Sequence, residues 1–444
     1  MLTIKGYRIE KKGNDEIRGT LTVKPYVPAV FVNPQYVTKY KVFTEDSEYL
    51  YVPKHFGLLT FGEFKSSTRN VEQTNEKFWK FEGSIREAQN EVVNSFLKPE
   101  PHDGVISLQT GGGKTVCALY IASILRHRTI VLVHNTFLRD QWIDRIKSFL
   151  PNARIGTVQG DTVDIKDRDI VVAMLQSISM KDYPANTFES FGFLIVDECH
   201  HIASESFSQA IPKLTCKHML GLSATPERKD RLMRVINWFL GPILYTSNNA
   251  DKADENVRVE VHEFEPSDNA YNDIIYNHAG VMFTSLMINK VVDYAPRNLL
   301  LIELLKDIIE EPDRQILVMS DRVEHTVTLF DMLPVEIQAM ACVLGRKVKA
   351  AQRAEWCSTK RILIATYAMT KEGFDVATLN TLLIATPRPD VDQIVGRILR
   401  VEKTGRKTDP LIIDVVDPAF RRQFQERLSL YRKRNYSVTK MKLL

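Results

Sequence analysis

At 444 residues the chain is long enough for roughly two or three domains of about 150 residues each. Its 44% hydrophobic and 26% charged residues are those of a globular protein, and a net charge of only +4 excludes a global basic field, so any nucleic-acid surface has to be local. Five scattered cysteines, Cys117, Cys199, Cys216, Cys342 and Cys357, exclude a paired disulfide framework and point to free thiols in a reducing compartment.

The start, MLTIKGYRIEKK, has no apolar leader core, and no stretch approaches about 18 uninterrupted apolar residues. A soluble, intracellular, cytoplasmic chain without a membrane partner is expected. GTLTVKPYVPAVFVN and SEYLYVPKHFG then read as short extended runs rich in Val, Tyr and Phe, broken by Pro and Gly. They predict a small β-containing N-terminal module over residues 1–80. The basic and aromatic side chains of its KPY and VPKHF segments make it the natural source of substrate preference. From residue 81, GVISL, TIVLVH, DIVVAM, FGFLIVD and HMLGLS are short apolar runs separated by polar or helical sequence. Such runs predict strands buried on both faces, hence a parallel α/β sheet across residues 81–246. SNNADKADEN opens a polar linker, 247–257. After a mostly helical stretch containing RNLLLIELLKDIIEE, the runs QILVMS, RILIAT, TLLIAT and LIIDVV predict a second α/β domain over 258–444. From Phe420 the chain carries eight Lys or Arg against one acid and reads as a basic helix. Tyr431 and Tyr436, set among Arg432, Lys433 and Arg434, are candidates for stacking on nucleic acid.

One stretch carries chemistry on its face. GVISL runs directly into QTGGGKT, and VCALYIASILR follows, where Val116, Leu119, Tyr120 and Ile124 share helical spacing. Strand, glycine loop and helix N-terminus form the context in which backbone N–H groups converge on phosphate. Gly111, Gly112 and Gly113 let the backbone wrap closely, Lys114 would reach the β- and γ-phosphates, and the Thr115 hydroxyl would sit on Mg²⁺. Leu108 stands where the full phosphate-loop pattern has a glycine, so the match is to its latter part. FGFLIVDECHH ends a strand on Asp197 and Glu198. A phosphate loop needs one carboxylate for Mg²⁺ and another group to orient water; Asp197 suits the first role and Glu198 the second. A rival zinc site could be written from Cys199, His200, Cys216 and His218, but their spacing matches no tight finger pattern.

These residues, and others in order along about residues 82–435, resemble the superfamily 2 helicases, two-domain nucleic-acid motors with a DEAD/DEAH-like box. Here the box reads DECH, from Asp197 to His200. The resemblance implies two tandem RecA-like parallel-sheet domains. It implies that Arg86 and Gln89 in IREAQNEVV read the base of ATP, and that Gln176 and Ser177 in MLQSI contact a nucleic-acid strand. TIVLVHNTFLRDQW resembles a backbone-contacting motif, with His134-Asn135 in place of the usual Pro-Thr. Ser223, Ala224 and Thr225 of LSATPER, with His200 of the box, would couple hydrolysis to the nucleic-acid site. In the second domain Thr366 would lie near nucleic acid, and Gly373 and Asp375 near the domain cleft, where they would contribute to ATP binding. QIVGRILR fits the pattern Gln-x-x-Gly-Arg-x-x-Arg with Gln393, Gly396, Arg397 and Arg400. Two arginines one helical turn apart share a face, and planar guanidinium groups suit the charge of a transferring phosphoryl group. DECHH, the short chain and the absence of large inserts look similar to the branch containing XPB, the phage helicase UvsW and related viral helicases.

A motor of this kind implies ATP and Mg²⁺ between the two domains, with Arg397 and Arg400 completing the site on closure and Gln393 beside them. Cycles of closure would ratchet the chain along one strand, in the family's 3′ to 5′ direction. The expected partner is DNA, single-stranded, forked or branched, in recombination, repair or replication, acted on by a monomer. A duplex translocase that releases transcripts or polymerase, and an RNA helicase, stand as alternatives. A restriction-enzyme motor would need a nuclease region, and no such carboxylate and lysine constellation stands out. A non-enzymatic ATP-dependent switch would have no need of Glu198, Arg397 and Arg400.

Overall fold

Uninterrupted aliphatic runs are the raw material of both large sheets. TIVLV, IVVAM, FLIV, ILVMS, ILIAT and LIIDVV are buried along their whole length, as strands covered on both faces must be. The computed structural model describes the chain apart from residues 27–37, 70, 72, 101, 109–110, 185, 202–203, 205–207, 225–231, 248–253, 279, 346–347, 372–375, 402–404 and 442–444. It divides into two compact units, residues 1–247 and 248–444.

The first unit opens with β1 (Leu2–Thr3), β2 (Gly6–Glu10), β3 (Thr22–Val23), β4 (Tyr40–Lys41), β5 (Thr44–Glu45) and β6 (Tyr49–Val52). These make an antiparallel sheet of order β1-β2-β6-β5 and a separate β3–β4 pair. Eight more follow: β7 (Gly104–Ser107), β8 (Thr129–Val133), β9 (Ile155–Gln159), β10 (Thr162–Val163), β11 (Ile170–Met174), β12 (Phe193–Val196), β13 (His218–Ser223) and β14 (Ile243–Thr246). They join one sheet of order β10-β9-β11-β8-β12-β13-β7-β14, parallel except for the β9–β10 pair. The five runs read as strands supply β7, β8, β11, β12 and β13. Toward the edges, β9 alternates in burial and β14 is largely uncovered, so neither has the continuous apolar signature.

The N-terminal sheet shares a hydrophobic core with the larger one, from Tyr7 and Leu50 through Phe56 to Val105 and Phe239. VPKHF turns out to be an anchor rather than a surface for a substrate. Lys54 begins the helix Lys54–Phe61 and is buried, its Nζ donating to Asp103 Oδ2 at 2.6 Å and to the Lys217 carbonyl at 2.7 Å. His55 Nε2 lies 3.1 Å from the same Asp103 oxygen, and Phe56 meets Trp238 edge-on at 5.4 Å. A lysine can be buried only where its charge is matched, and Asp103 matches it. Arg69 adds a second tie, spending its guanidinium on the carbonyls of Glu189, Phe191 and Thr215.

In the second unit β15 (Arg258–Glu263), β16 (Ile316–Ser320), β17 (Ala341–Leu344), β18 (Ile362–Thr366), β19 (Thr381–Ile384), β20 (Leu411–Val416) and β21 (Ser437–Met441) form a wholly parallel sheet of order β17-β18-β16-β19-β20-β15-β21. The four sequence runs supply β16, β18, β19 and β20. The basic C-terminal helix is Arg421–Lys433, and beyond it the chain returns as edge strand β21. The stacking role expected of YRKRNY is overturned. Tyr431 is fully buried, its hydroxyl donating to Asp414 Oδ2 at 2.9 Å beside the bidentate Arg427, and Arg434 and Tyr436 are buried with it. The rings face the unit's core, where no base can reach them.

Behind the N-terminal anchor, burial pushes His218 down to about 4 against the pull of Asp103. Burial also raises the Asp103 carboxyl, but Lys54 and His55 outweigh it and hold it at about 2. His218 therefore stays neutral in the folded chain at pH values where the unfolded chain protonates it. Its contribution is fully present above pH 6.5 and is lost as pH falls toward 4, by up to about 3 kcal/mol. Denaturant midpoints measured across that window should fall steeply in the native chain and less so in His218→Gln.

Candidate active site

The glycine loop is positioned by β7, which lies between β13 and β14. Just past the strand, the Leu108 N–H donates to the Ser223 carbonyl at 3.0 Å, so the ends of β7 and β13 are tied where the loop departs. Gly111 and Gly113 have φ of 86° and 83°, left-handed values that side chains other than glycine rarely adopt. Gly113 caps the helix Lys114–Leu125, and a Cβ there would stand 2.1 Å from Gln89 Nε2. Gln89 is buried against the loop: its Nε2 donates to the Gly112 carbonyl at 3.2 Å and its Oε1 accepts from the Arg86 N–H at 2.9 Å. Arg86 itself is exposed. The helix face differs from the expected one. Cys117, Ala118, Leu119, Ile121, Ala122 and Leu125 are buried, while Val116 and Tyr120 are half-buried and Ile124 is exposed. The helix is apolar on nearly all sides, so spacing alone could not choose which side faces the sheet.

β12 delivers the acids. Asp197 is only 9% exposed, with Oδ2 accepting from Trp142 Nε1 at 2.8 Å and Oδ1 from the Glu198 N–H at 3.0 Å. Burial first, and then the charge of Glu198, raises its carboxyl to about 6, with Lys114 opposing. Glu198 has φ of 47°, a left-handed conformation costing roughly 1 kcal/mol in a non-glycine residue. That turn sets its carboxylate between two partners: Lys114 Nζ at 3.5 Å from Oε1 and His200 Nδ1 at 3.3 Å from Oε2. His200 Nδ1 is also 3.2 Å from Ser223 Oγ, at the end of β13. Lysine, glutamate, histidine and serine thus form one line across three strand ends. Thr115 follows Lys114 in the first turn of the helix and is half-buried.

The donor set fits a polyphosphate with a divalent cation. Free N–H groups of a helix N-terminus, glycines without Cβ and one lysine suit an anion. Adjacent carboxylates, with Asp197 raised to about 6 by burial and by the charge of Glu198, form a spot that further positive charge would stabilise. The zinc alternative finds no such fit: among the described residues no three His, Cys, Asp or Glu side chains gather around a point.

On the same edge of the sheet, Gln176 and Ser177 lie in the short helix Leu175–Met180 after β11. Gln176 Nε2 donates to the His134 carbonyl at 2.8 Å and Ser177 Oγ accepts from the Gly160 N–H at 2.9 Å. In the second unit Thr366 ends β18. Gln393 lies in the helix Asp392–Val395, which stops short of the helix expected for QIVGRILR. At Gly396, a poor helix former, the chain tightens, with the Arg397 and Ile398 N–H groups bonding three residues back. Arg397 is buried and Arg400 half-buried. Thr225, Gly373 and Asp375 lie outside the described residues. Trp142 escaped the sequence reading, because Leu138, Trp142 and Ile146 at four-residue spacing look like a core stripe and nothing more.

Residues 82–228 match the family model described as "Type III restriction enzyme, res subunit". A protein of Acanthamoeba polyphaga mimivirus, provisionally named an ATP-dependent RNA helicase, is 30% identical over 457 residues, covering 99% of this chain and 86% of that protein. The chain belongs to the superfamily 2 helicases. The helicase is also 34% identical over 161 residues to the DNA 3'-5' translocase XPB2 of Sulfurisphaera tokodaii, 36% of this chain and 35% of that one. In fold it is similar to S. cerevisiae Dbp5 bound to RNA and ADP BeF3, with a TM-score of 0.56 and 13% identity over 80% of this chain and 89% of that chain. Two RecA-like parallel-sheet units are the architecture of the helicase.

Gly113→Ala would force a Cβ onto Gln89 and a side chain into a left-handed conformation. The helicase variant should lose about 1–2 kcal/mol of stability in chemical denaturation. Its nucleotide affinity should fall by more than its stability alone accounts for, in equilibrium binding well below the denaturation midpoint.

Proposed function

We propose that this helicase is a motor driven by ATP hydrolysis with Mg²⁺, acting on DNA and unwinding or branch-migrating forked and junction substrates. The observation that carries the reading is the line from Lys114 through Glu198 and His200 to Ser223, set beside a glycine loop at the carboxyl edge of a parallel sheet. Gly111, Gly112, Gly113 and the following N–H groups would hold the phosphates, with Lys114 on the β- and γ-phosphates and Arg86 and Gln89 on the base side. Thr115 and Asp197 would hold Mg²⁺, which when bound offsets phosphate charge and screens the two carboxylates from each other.

Lys114 pairs with Glu198 at 3.5 Å. An incoming γ-phosphate would draw the ammonium to itself and leave Glu198 free to accept a proton from the attacking water. His200, between Glu198 and Ser223, would carry that change to the end of β13 and on to Thr225. Arg397 and Arg400 would add guanidinium charge to the phosphates as the units close, with Gln393, Gly373 and Asp375 beside them. Gln176, Ser177 and Thr366 would hold the strand through its phosphates, so affinity would fall with salt. Similarity to a protein named as a DNA translocase supports DNA as the track. The name of the mimivirus relative favours RNA as the second reading.

Two variants and one assay test this reading. Lys114→Ala should lower ATP turnover at least about 100-fold while keeping most nucleic-acid binding. Glu198→Gln should bind ATP and hydrolyse it about 100-fold more slowly, accumulating a long-lived complex on nucleic acid. ATPase rates at one salt concentration, with no nucleic acid, single-stranded DNA, duplex, four-way junction or RNA, should be highest with branched or duplex DNA. Stimulation by RNA alone would replace the proposed track with the second reading.

A further inference from the structure

We infer that Trp142 is a positioning residue for the metal-binding carboxylate: its indole N–H locks Asp197 in the orientation that Mg²⁺ requires. Both carboxylate oxygens are tethered, Oδ1 by the Glu198 N–H at 3.0 Å and Oδ2 by Trp142 Nε1 at 2.8 Å. The first tether comes with the strand end, since any residue other than proline in place of Glu198 would offer a backbone N–H. The second is specific. It reaches across from the helix Thr136–Phe149, 55 residues away along the chain, and the donor-only indole places a rigid N–H there from inside the core.

Trp142 is 1% exposed and belongs to the same hydrophobic core as Leu138, Ile146, Val131 and Ile195. Its ring is therefore fixed, and a donor fixed in a dry environment stops the carboxylate from turning about its last torsion. Each oxygen keeps lone-pair capacity for a cation. Donors that orient a metal ligand from behind are typically worth about 10–100-fold in metal affinity. A buried tryptophan also looks for a partner simply to satisfy its N–H, so the core role and the positioning role have to be separated by their readouts.

The inference rests on Asp197 serving Mg²⁺ in the proposed motor, and the experiment keeps the two apart. Equilibrium binding of a fluorescent, non-hydrolysable ATP analogue is measured against Mg²⁺ concentration for the wild type, Trp142→Phe and Trp142→Leu. Trp142→Phe keeps the ring and removes the N–H. It should bind the analogue without Mg²⁺ to within about twofold of wild type and need about tenfold more Mg²⁺ for half-saturation. An equal shift in Trp142→Leu supports the N–H as the cause. A shift in Trp142→Leu alone, or in neither variant, overturns the inference while leaving the nucleotide site standing. A wild type whose analogue binding ignores Mg²⁺ overturns the underlying reading instead.

Should the variants not fold, 5-fluorotryptophan labelling of the wild type gives a ¹⁹F line for each of its four tryptophans. The Trp142 line, identified by elimination with Trp79→Phe, Trp238→Phe and Trp356→Phe, should move as Mg²⁺ is added to the analogue complex. An unmoved line overturns the positioning role.

Discussion

In the first unit β7, β8, β11, β12 and β13 run in the same direction, joined by evenly spaced parallel ladders. Parallel pairing cannot be closed by tight turns; each strand must return by a crossover, so every carboxyl end opens on one edge. The glycine loop follows β7, His134 follows β8, Gln176 follows β11, Asp197 follows β12, and Ser223 ends β13. Residues spread over more than a hundred positions of sequence become neighbours because hydrogen-bond geometry leaves them no other edge to occupy. The second unit repeats the arrangement, with Thr366 at the end of β18, whose register sets it opposite Ser320 of β16.

Charge is treated in two ways within this framework. Away from the site, buried ions are matched: Lys54 and His55 with Asp103, Arg297 with both oxygens of Asp417, and Arg427 with both oxygens of Asp414. Such pairs hold segments in place because removing one member would strand the other. At the loop two like charges stand side by side, with Glu198 raising the carboxyl of Asp197, and the backbone at Glu198 is held in a left-handed turn. Like-charge crowding and backbone strain at one spot are the features that mark a candidate functional site.

The basic C-terminal segment shows how the same composition can serve opposite ends. Eight cations against one acid read as a surface for a polyanion. Tyr431, Arg434 and Tyr436 instead point inward, and Arg427 pairs with Asp414, because β21 brings the chain back beside β15 and closes the sheet over them. VPKHF follows the same logic, its lysine and histidine consumed by Asp103. Composition reports how many charges a segment carries and is silent on which of them another segment will neutralise.

By itself the sequence determined the two parallel sheets, since continuous aliphatic runs have only doubly covered strands to become, and it determined the glycine loop, since the strand, the three glycines, the lysine and the helix are consecutive. The acids of DECHH were legible for the same reason, as they end a run that must be a buried strand. Tertiary structure alone decided which face of the helix after the loop is buried, what neutralises Lys54, and that the indole of Trp142 ends on Asp197. Those outcomes depend on partners such as Asp103, 49 residues from Lys54, and Asp197, 55 residues from Trp142, and periodicity and motif spacing are local quantities that carry no information about a contact made across the fold.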